Sequence, residues 1–226
     1  GKVLDDLLSG TRDTAGLDEK RSPFDFALWK RAEPQHLMRW PSPWGEGYPG
    51  WHIECSVMST KYLGETFDIH GAGMDLEFPH HEAEIAQSTA ALGHESVRYW
   101  MHNNMITIGG QKMAKSLGNY ITLGQLYDGD HPMLEQAYSP MTMRFFVLQS
   151  HYRSPVDFSN EPLKAAEKGY RRLMNALAAA RALAPADAPR DADPQTPADR
   201  ELAGLVEAAC RQLSDDFNTP QALATL

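Results

Sequence analysis

Apolar residues in the first half of the chain follow two spacings in turn, one typical of strands and one typical of helices. In chain order they predict a strand at 24–30, a helix at 50–63, a strand at 67–70, a helix at 80–92 and a strand at 99–108. This alternation predicts an α/β fold with a parallel sheet. In such folds the functional site lies at the carboxyl ends of the strands.

The second half of the chain has a helical pattern. From Leu123 onward apolar positions recur at helical spacing, and the stretch 161–183 predicts a long amphipathic helix. The stretch at about 184–199 is rich in Pro, Ala and Asp, which is typical of a mobile linker. We expect two further helices between this linker and Leu226.

Candidate chemistry is densest between Gly109 and Asn119, where Lys112, Lys115 and Ser116 follow a pair of glycines. Ammonium groups on a glycine-flanked loop could neutralise the charge of a departing pyrophosphate when the loop closes over ATP. A β-hairpin with a Gly-Gly turn and solvated lysines explains the same residues without chemistry. The residues of this segment alone do not distinguish a catalytic loop from a plain hairpin.

A second set of residues offers ligand types that zinc accepts. Behind Pro79 a helix would place His80 and Glu84 one turn apart on one face. Cys55 would add a thiolate to the imidazole and the carboxylate. Taken alone, the histidine and glutamate are more often an ordinary helix-surface pair, and Cys55 is more often a small buried hydrophobic residue.

Glycines also follow the predicted strand at 67–70. Gly71 and Gly73 stand where a strand meets a ligand in many nucleotide-binding folds, and Asp75 comes directly after them. A plain turn is the simpler interpretation of this short pattern. The residues alone leave both open.

Composition limits the class of protein. The net charge of −9 argues against non-specific nucleic-acid binding, which needs clustered cations. One helical segment could still face a nucleic-acid backbone, although a solvated helix face is the more common outcome. Its cations are Lys164, Lys168, Arg171 and Arg172. With two cysteines and no apolar run long enough to span a membrane, we expect a cytoplasmic protein without membrane contacts.

Several of these segments resemble motifs of one enzyme family. GGQKMAKSLGN at 109–119 is similar to the Lys-Met-Ser-Lys-Ser loop of class I aminoacyl-tRNA synthetases, with Ala114 in place of the first serine. That exchange removes at most one hydrogen bond, worth about 1 kcal/mol. Four further segments look like motifs of cysteinyl-tRNA synthetase, in the family's order: GWHIECSVM at 50–58, HGAGMDL at 70–76, FPHHEAEIAQ at 78–87 and DFNTP at 216–220.

The resemblance implies that zinc is bound by Cys55, His80 and Glu84. The family uses a fourth protein ligand, a cysteine that comes before any residue present here, so we expect an incomplete ligand set in this chain. Cys210 is the only other cysteine and is not assigned. Zinc that binds the substrate as a thiolate would distinguish cysteine from serine, which size alone separates poorly. By the same resemblance, Trp51 would close the wall of the amino-acid pocket. The alternative interpretation is that Trp51 is an ordinary aromatic core residue.

The resemblance also implies two parts of an ATP site. Gly71, Gly73 and Asp75 would hold the adenosine, because glycines allow close approach and a carboxylate accepts hydrogen bonds from ribose hydroxyls. The catalytic residues of the loop would be Lys112, Lys115 and Ser116. Lys115 would also bind ATP, and magnesium is expected with the nucleotide.

The fold implied by the resemblance is the second half of a class I synthetase Rossmann-like parallel-sheet domain, followed by an α-helical region. The predicted domains are the tail of an insertion or a surface loop at 1–21, the catalytic half with the lysine loop at 22–122, a stem-contact-like connecting region at 123–160, and the start of a helical tRNA-binding domain at 161–226.

The implied activity is ATP-dependent activation of L-cysteine to cysteinyl adenylate and transfer of cysteine to tRNA(Cys), by an enzyme that is a monomer when intact. The His-x-Gly-His signature, the other half of the class I ATP site, is absent from the sequence, so we expect this chain alone to be inactive. Two alternatives stay open. One is a ligase that joins cysteine to an amino sugar in mycothiol synthesis, and the other is a non-catalytic binding fragment.

Overall fold

The computed structural model describes residues 20–22, 24–183 and 196–226. By its internal contacts the chain divides into two compact units, Gly1–Met101 and His102–Leu226. No helix within the described ranges is long and apolar enough to cross a lipid bilayer.

The first unit opens with an antiparallel pair of short strands, β1 (Trp29–Arg31) and β2 (Gly47–Pro49). The strand predicted at 24–30 is therefore shorter and begins later. Gly50, which follows β2, must be glycine because a Cβ there would overlap the carbonyl oxygen of Ala27. Close backbone approach thus explains part of the glycine-rich sequence in this region.

From Trp51 to Asn103 the chain alternates helices and strands. Its elements are α1 (Trp51–Leu63), β3 (Phe67–Gly73), a 3-10 turn (Met74–Leu76), an irregular π-helical turn (Glu77–His81), α2 (Glu82–Leu92) and β4 (Val97–Asn103). β3 and β4 pair with each other. The helix predicted at 50–63 and the strand at 67–70 are confirmed. The helix predicted from His80 is regular only from Glu82 onward.

A second sheet region belongs to the second unit. Its elements are β5 (Ile106–Ile108), β6 (Gln111–Lys112), a 3-10 turn (Lys115–Leu117) and β7 (Val156–Asp157), with strand order β6-β5-β7. β5 is antiparallel to β6 and parallel to β7. The prediction of a single strand at 99–108 is wrong, because β4 ends at Asn103 and β5 begins only at Ile106. The side-chain oxygen of Asn104 accepts a hydrogen bond from the Met105 N–H at 2.8 Å, which competes with strand pairing.

The remaining described residues of this unit are mostly helical. The helices are α3 (Leu123–Asp128), α4 (Pro140–Leu148), α5 (Asn160–Leu183), α6 (Pro197–Ser214) and α7 (Thr219–Thr225). Four of them begin behind a side-chain cap, which satisfies a backbone N–H of the first turn; the caps are Thr122, Ser139, Thr196 and Asn218. Seven buried residues of this unit form one hydrophobic cluster: Ile121, Leu126, Tyr138, Phe146, Phe158, Leu163 and Ala166.

The α/β class and the long helix predicted at 161–183 are confirmed, as are the two helices after the linker. The described strands form three small sheets rather than one, and most of them are only two or three residues long. The loop predicted at 1–21 lies outside the described residues except for its last two. Residues 184–195 of the linker predicted at about 184–199 also lie outside the described residues. Helix α6 begins at Pro197, within the predicted linker. The domain boundaries stay a prediction.

Candidate functional site

The first ligand-type side chain lies on α1. Trp51 and Cys55 share one face of this helix because they are one turn apart. Cys55 is half-buried, and burial raises the pKa of its thiol. The nearby carboxylates of Glu84 and Glu54 raise that pKa further, since they disfavour a second negative charge. The thiol is therefore protonated at neutral pH unless a cation binds it.

His80 and Glu84 come from the chain that leads into α2. His80 lies in the π-helical turn and Glu84 in the first turn of the helix. Both are buried, with 3% and 4% of their surface exposed. The Nε2 atom of His80 lies 2.9 Å from Oε1 of Glu84, so the predicted pairing one turn apart is confirmed. The simpler interpretation as a helix-surface pair is wrong, because neither side chain is at the surface.

Cys55, His80 and Glu84 converge on one point. Their ligand atoms all lie within 4.8 Å of one another. Oε1 of Glu84 is buried without a hydrogen bond, although Nε2 of His80 is only 2.9 Å away. Two ligand atoms that face each other in this way suit a shared cation, and thiolate, imidazole and carboxylate are all zinc ligands. The residues present therefore fit zinc. Cys210 is exposed on α6 and joins no such group among the described residues.

Two further histidines hold the ligand side chains. Nδ1 of His52 lies 2.6 Å from Nδ1 of His80. Burial lowers the pKa of His52, as do the charges of His80 and Lys30, so the neutral ring can accept the Nδ1 proton of His80. Nε2 of His80 is then available as a ligand. On the other side, Nε2 of His70 lies 3.0 Å from Oε2 of Glu84 and donates to it.

Aromatic rings flank the histidines. The Trp51 ring centre lies 4.2 Å from that of His80, and the Trp100 ring centre lies 4.9 Å from His70 and 4.7 Å from His81. Trp51 is 55% exposed, so the interpretation as a core residue is wrong. More than half of the Trp51 surface is thus accessible beside the converging side chains.

Sequence reasoning missed His52, His70 and Trp100. A signal for His52 was present, because it lies on the same helix as Cys55 and one turn before it. His70 and Trp100 had no local signal, since they meet only when β3 and β4 pair. A second group of ligand-type atoms, from His70, His81 and Glu84, also lies within 4.8 Å. It shares Glu84 and belongs to the same site.

The glycines expected to hold adenosine lie at the end of β3. A Cβ at Gly73 would lie 2.5 Å from Oδ1 of Asp75, so glycine lets that carboxylate fold back towards the strand. A Cβ at Gly71 would make an ordinary contact, 3.6 Å from the carbonyl oxygen of Met101. Packing within the described chain therefore does not explain glycine at position 71, whereas close approach of a ligand would. The plain-turn interpretation is wrong for both glycines, because both lie within β3.

Lys112 and Lys115 are carried by a hairpin. Gly109 and Gly110, with φ of 57° and 75°, form the turn between β5 and β6. This pair of left-handed residues is typical of a type I′ turn. Lys112 lies on β6, while Lys115 and Ser116 lie in the 3-10 turn after it, and all three are exposed. The hairpin interpretation is confirmed, but it does not exclude a catalytic loop, since both lysines are exposed on it.

Asn119 closes the base of this loop. Its Oδ1 accepts a hydrogen bond from the Ala114 N–H at 2.8 Å, and its Nδ2 donates to the carbonyl oxygen of Lys112 at 3.1 Å. The Nζ atom of Lys115 lies 5.3 Å from the ring centre of Tyr120, within the range of a cation–π contact. The loop therefore has a defined conformation of its own.

The motif at 216–220 forms a tight corner before α7. Asp216 and Phe217 have φ of 53° and 52°, in the left-handed region that few non-glycine residues occupy. Asn218 caps the helix by accepting a hydrogen bond from the backbone of Gln221. The Asp216 carboxylate accepts hydrogen bonds from the segment before β7. This corner thus ties the last helix to that segment.

The predicted basic cluster lies on α5 and lines a shallow groove. Its members are Lys164, Lys168, Arg171 and Arg172. Lys164 forms an ion pair with Glu135, and Arg171 forms one with Glu167 at 2.8 Å. Among the described residues, Lys168 and Arg172 have no acidic partner. Half of the cluster is therefore compensated within the protein, and half is available to an anion.

Comparison with known proteins identifies the family. Residues 1–168 match the family model of the tRNA synthetases class I (C) catalytic domain. The chain belongs to this family. Its whole length is similar to cysteine–tRNA ligases from Bacteroides fragilis (58% identical over 226 residues), Cytophaga hutchinsonii (59% over 227) and Deinococcus radiodurans (55% over 227). It spans 44%, 45% and 43% of the length of these relatives, less than half in each case.

A solved structure shows the same fold. The chain resembles the LeuRS of a LeuRS–tRNA–LeuAMS ternary complex from Agrobacterium radiobacter, with a TM-score of 0.54. The match covers 83% of this chain and 28% of that chain at 16% identity. Identity this low supports the fold and nothing finer. With the family match, it confirms the class I synthetase fold that the sequence motifs imply.

Proposed function

We propose that this chain is part of a cysteine–tRNA ligase, which activates L-cysteine with ATP to cysteinyl adenylate and transfers it to tRNA(Cys). The observation that carries the proposal is the convergence of Cys55, His80 and Glu84 within 4.8 Å. It occurs in a chain that is 58% identical over its full length to a protein named cysteine–tRNA ligase. The relatives named above are tRNA ligases, so they favour this function over an amino-sugar ligase.

The metal half of the proposed site selects the amino acid. The zinc ligands of this chain would be Cys55, His80 and Glu84. When bound, zinc supplies a Lewis acid that binds a substrate thiol as the thiolate in preference to an alcohol. His52 and His70 keep two of the ligand side chains in the required tautomer and orientation. Trp51, exposed beside His80, would form one wall of the cysteine pocket.

Two segments of the chain would bind the nucleotide, one at the end of β3 and one in the lysine loop. Gly71 and Gly73 would let the adenosine approach β3, and the Asp75 carboxylate would accept hydrogen bonds from ribose hydroxyls. The phosphates, with magnesium, would be bound by loop residues Lys112, Lys115 and Ser116. The lysines stabilise negative charge that grows as pyrophosphate leaves, which is why they act on the transition state more than on bound ATP.

The proposed macromolecular partner is tRNA(Cys). Lys168 and Arg172 on α5 have no acidic partner among the described residues and would contact its phosphates. We assign 22–122 to the catalytic half, 123–160 to the connecting region and 161–226 to the start of the tRNA-binding domain. The intact protein would be a cytoplasmic monomer.

The proposal is tested on a full-length protein that carries this chain. We expect exchange of pyrophosphate into ATP that depends on cysteine and not on serine, and charging of tRNA(Cys). Coupling of cysteine to an amino-sugar acceptor without charging of tRNA would favour the mycothiol-type ligase instead. No cysteine-dependent exchange would contradict the proposal. The 226-residue chain by itself is expected to give no exchange, because it lacks the His-x-Gly-His signature.

A further inference from the structure

We infer that Asp157 is a positioning residue for the lysine loop, which it holds through the turn of the β5–β6 hairpin. The inference rests on the proposed role of Lys112 and Lys115 in ATP activation. Asp157 lies on β7, far from the lysines in sequence, and no motif of the chain includes it.

One oxygen of Asp157 joins two parts of the hairpin. Its Oδ1 accepts hydrogen bonds from the Gly110 N–H at 2.8 Å and from Oγ1 of Thr107 at 2.7 Å. Gly110 belongs to the turn, and Thr107 lies on β5 directly opposite Lys112. The carboxylate therefore contacts both the tip of the hairpin and the partner position of the first lysine.

The Gly110 N–H in the turn needs the Asp157 carboxylate as its hydrogen-bond acceptor, because the pairing of β5 with β6 does not supply an acceptor for it. The β5–β6 pairing joins Thr107 to Lys112 and Ile108 to Gln111, which leaves the Gly110 N–H outside the ladder. The backbone pairing between β7 and β5 ends with the hydrogen bond from Phe158 N to Thr107 O, at 2.7 Å. Beyond that point Asp157 reaches the turn through its side chain alone.

The charge of Asp157 indicates that its role is geometric. A carboxylate beside a loop that binds a triphosphate opposes the ligand electrostatically, so it would not be useful as a phosphate contact. The hydrogen bonds from Gly110 and then Thr107 lower the pKa of Asp157, so it is ionised at neutral pH. Asparagine at this position would keep an acceptor oxygen and remove the charge. Alanine would remove both, and the two substitutions therefore separate geometry from charge.

The test uses full-length protein with Asp157→Ala, Asp157→Asn and a matched control, Asp130→Ala. Asp130 is an exposed aspartate of the same unit whose side chain has no partner among the described residues. We expect Asp157→Ala to lower kcat of cysteine-dependent pyrophosphate exchange about tenfold or more, because a small displacement of a catalytic group is costly. The KM for cysteine and the melting temperature should match the control. Asp157→Asn should keep most of the activity.

A double variant shows whether Asp157 acts through the loop. If it positions Lys115 together with Lys112, then adding Asp157→Ala to Lys115→Ala should lower kcat by a smaller factor than Asp157→Ala does in the wild-type enzyme. Losses that multiply in full in the double variant would overturn the inference. So would an Asp157→Ala enzyme with the kcat of the control, or a loss that asparagine does not restore and that follows a fall in melting temperature.

Tryptic cleavage after Lys112 and Lys115 gives a readout that does not depend on activity. We expect Asp157→Ala to be cut several-fold faster than wild type at these positions, and Asp157→Asn to be cut at the wild-type rate, because cleavage follows local opening of the loop. Equal rates for Asp157→Ala and Asp130→Ala would overturn the inference. If wild-type protein lacks exchange activity, the proposed function fails, and the cleavage rates still decide whether Asp157 fixes the hairpin.

Discussion

Arg153 and Asp216 form an ion pair with two points of contact. Nε of Arg153 lies 2.6 Å from Oδ2 of Asp216, and Nη2 lies 3.1 Å from Oδ1. The Tyr152 hydroxyl donates to the same Oδ1 at 2.6 Å. These hydrogen bonds, from Arg153 first and Tyr152 second, lower the pKa of Asp216 from 3.8 to about 2. They hold the aspartate in its left-handed conformation at the corner before α7.

The first prediction concerns acid pH. The folded pKa of Asp216 lies below its ordinary value, so the pair stabilises the fold above pH 3.8 and this contribution is lost as the pH falls towards about 2. His151, whose Nε2 lies 3.7 Å from Oδ2, acts in the same direction when protonated. We expect Asp216→Asn to lower the free energy of unfolding at about pH 5 and to have less effect at about pH 3. Urea unfolding at both pH values, with Asp130→Asn as control, measures this; a larger effect at the lower pH would contradict it.

The second prediction is that Cys55→Ser in the full-length enzyme loses stoichiometric zinc. An alcohol is a poor replacement for a thiolate ligand, so the metal should be lost or held far more weakly. Without it, size and polarity alone separate cysteine from serine, a difference worth about 1–3 kcal/mol. Cysteine activation should fall by orders of magnitude, and the preference over serine should collapse.

Metal analysis and activation kinetics with both amino acids check the two halves of this prediction. Cys210→Ser is the matched control, because Cys210 is exposed on α6 and belongs to no ligand group among the described residues. The control should keep zinc and selectivity. A Cys55→Ser enzyme that also keeps both would mean that Cys55 is an ordinary packing residue.

The third prediction concerns Lys115, whose ammonium group rests over Tyr120. Lys115→Ala should lower kcat of adenylate formation about a hundredfold or more, because in the proposed function this group acts on charge that develops as pyrophosphate leaves. The KM for cysteine should stay nearly the same. Lys61→Ala, at an exposed lysine of α1, serves as control. A raised KM for cysteine at unchanged kcat would assign Lys115 to amino-acid binding instead.

The fourth prediction compares two glycines. A Cβ at Gly73 would lie 2.5 Å from Oδ1 of Asp75, so Gly73→Ala should displace that carboxylate and raise the KM for ATP, by about tenfold if one charged hydrogen bond is lost. A Cβ at Gly124 of α3 would come no closer than 4.0 Å to Oγ1 of Thr122. Gly124→Ala should leave the KM for ATP unchanged, and helix propensity favours alanine there. Equal KM values for both variants would contradict the proposed role of Asp75 in ATP binding.

Local periodicity was sufficient to predict part of the candidate metal site. His80 and Glu84 are one turn apart, and helical geometry alone brings such residues together even though the helix starts irregularly. Cys55 joins them through the contact between α1 and α2, a packing relation that periodicity does not specify. His70 and Trp100 depend on the pairing of β3 with β4, and no pattern within either strand encodes it.

The lysine loop illustrates a different limit. The Gly109–Gly110 turn was evident in the sequence because two adjacent glycines favour left-handed backbone. The sequence left a plain hairpin and a catalytic loop as alternative interpretations of residues 109–119. The observed hairpin is compatible with both, because it carries exposed lysines. Asp157 could not be predicted, since it is 47 residues from Gly110 and its contact depends on a short parallel strand.

Two residues of the chain before β7, Tyr152 and Arg153, are each bound by two distant partners. Asn104 binds their carbonyl oxygens, with its N–H 2.8 Å from Tyr152 O and its Nδ2 2.9 Å from Arg153 O, and Asp216 binds the side chains of the same two residues. A chimaera that exchanges the last helices between relatives would therefore have to carry position 216 and the 151–157 segment as one block. A crossover between them would combine residue 216 of one parent with residues 152 and 153 of the other, and the hydrogen bonds between these positions would depend on an untested pairing of side chains.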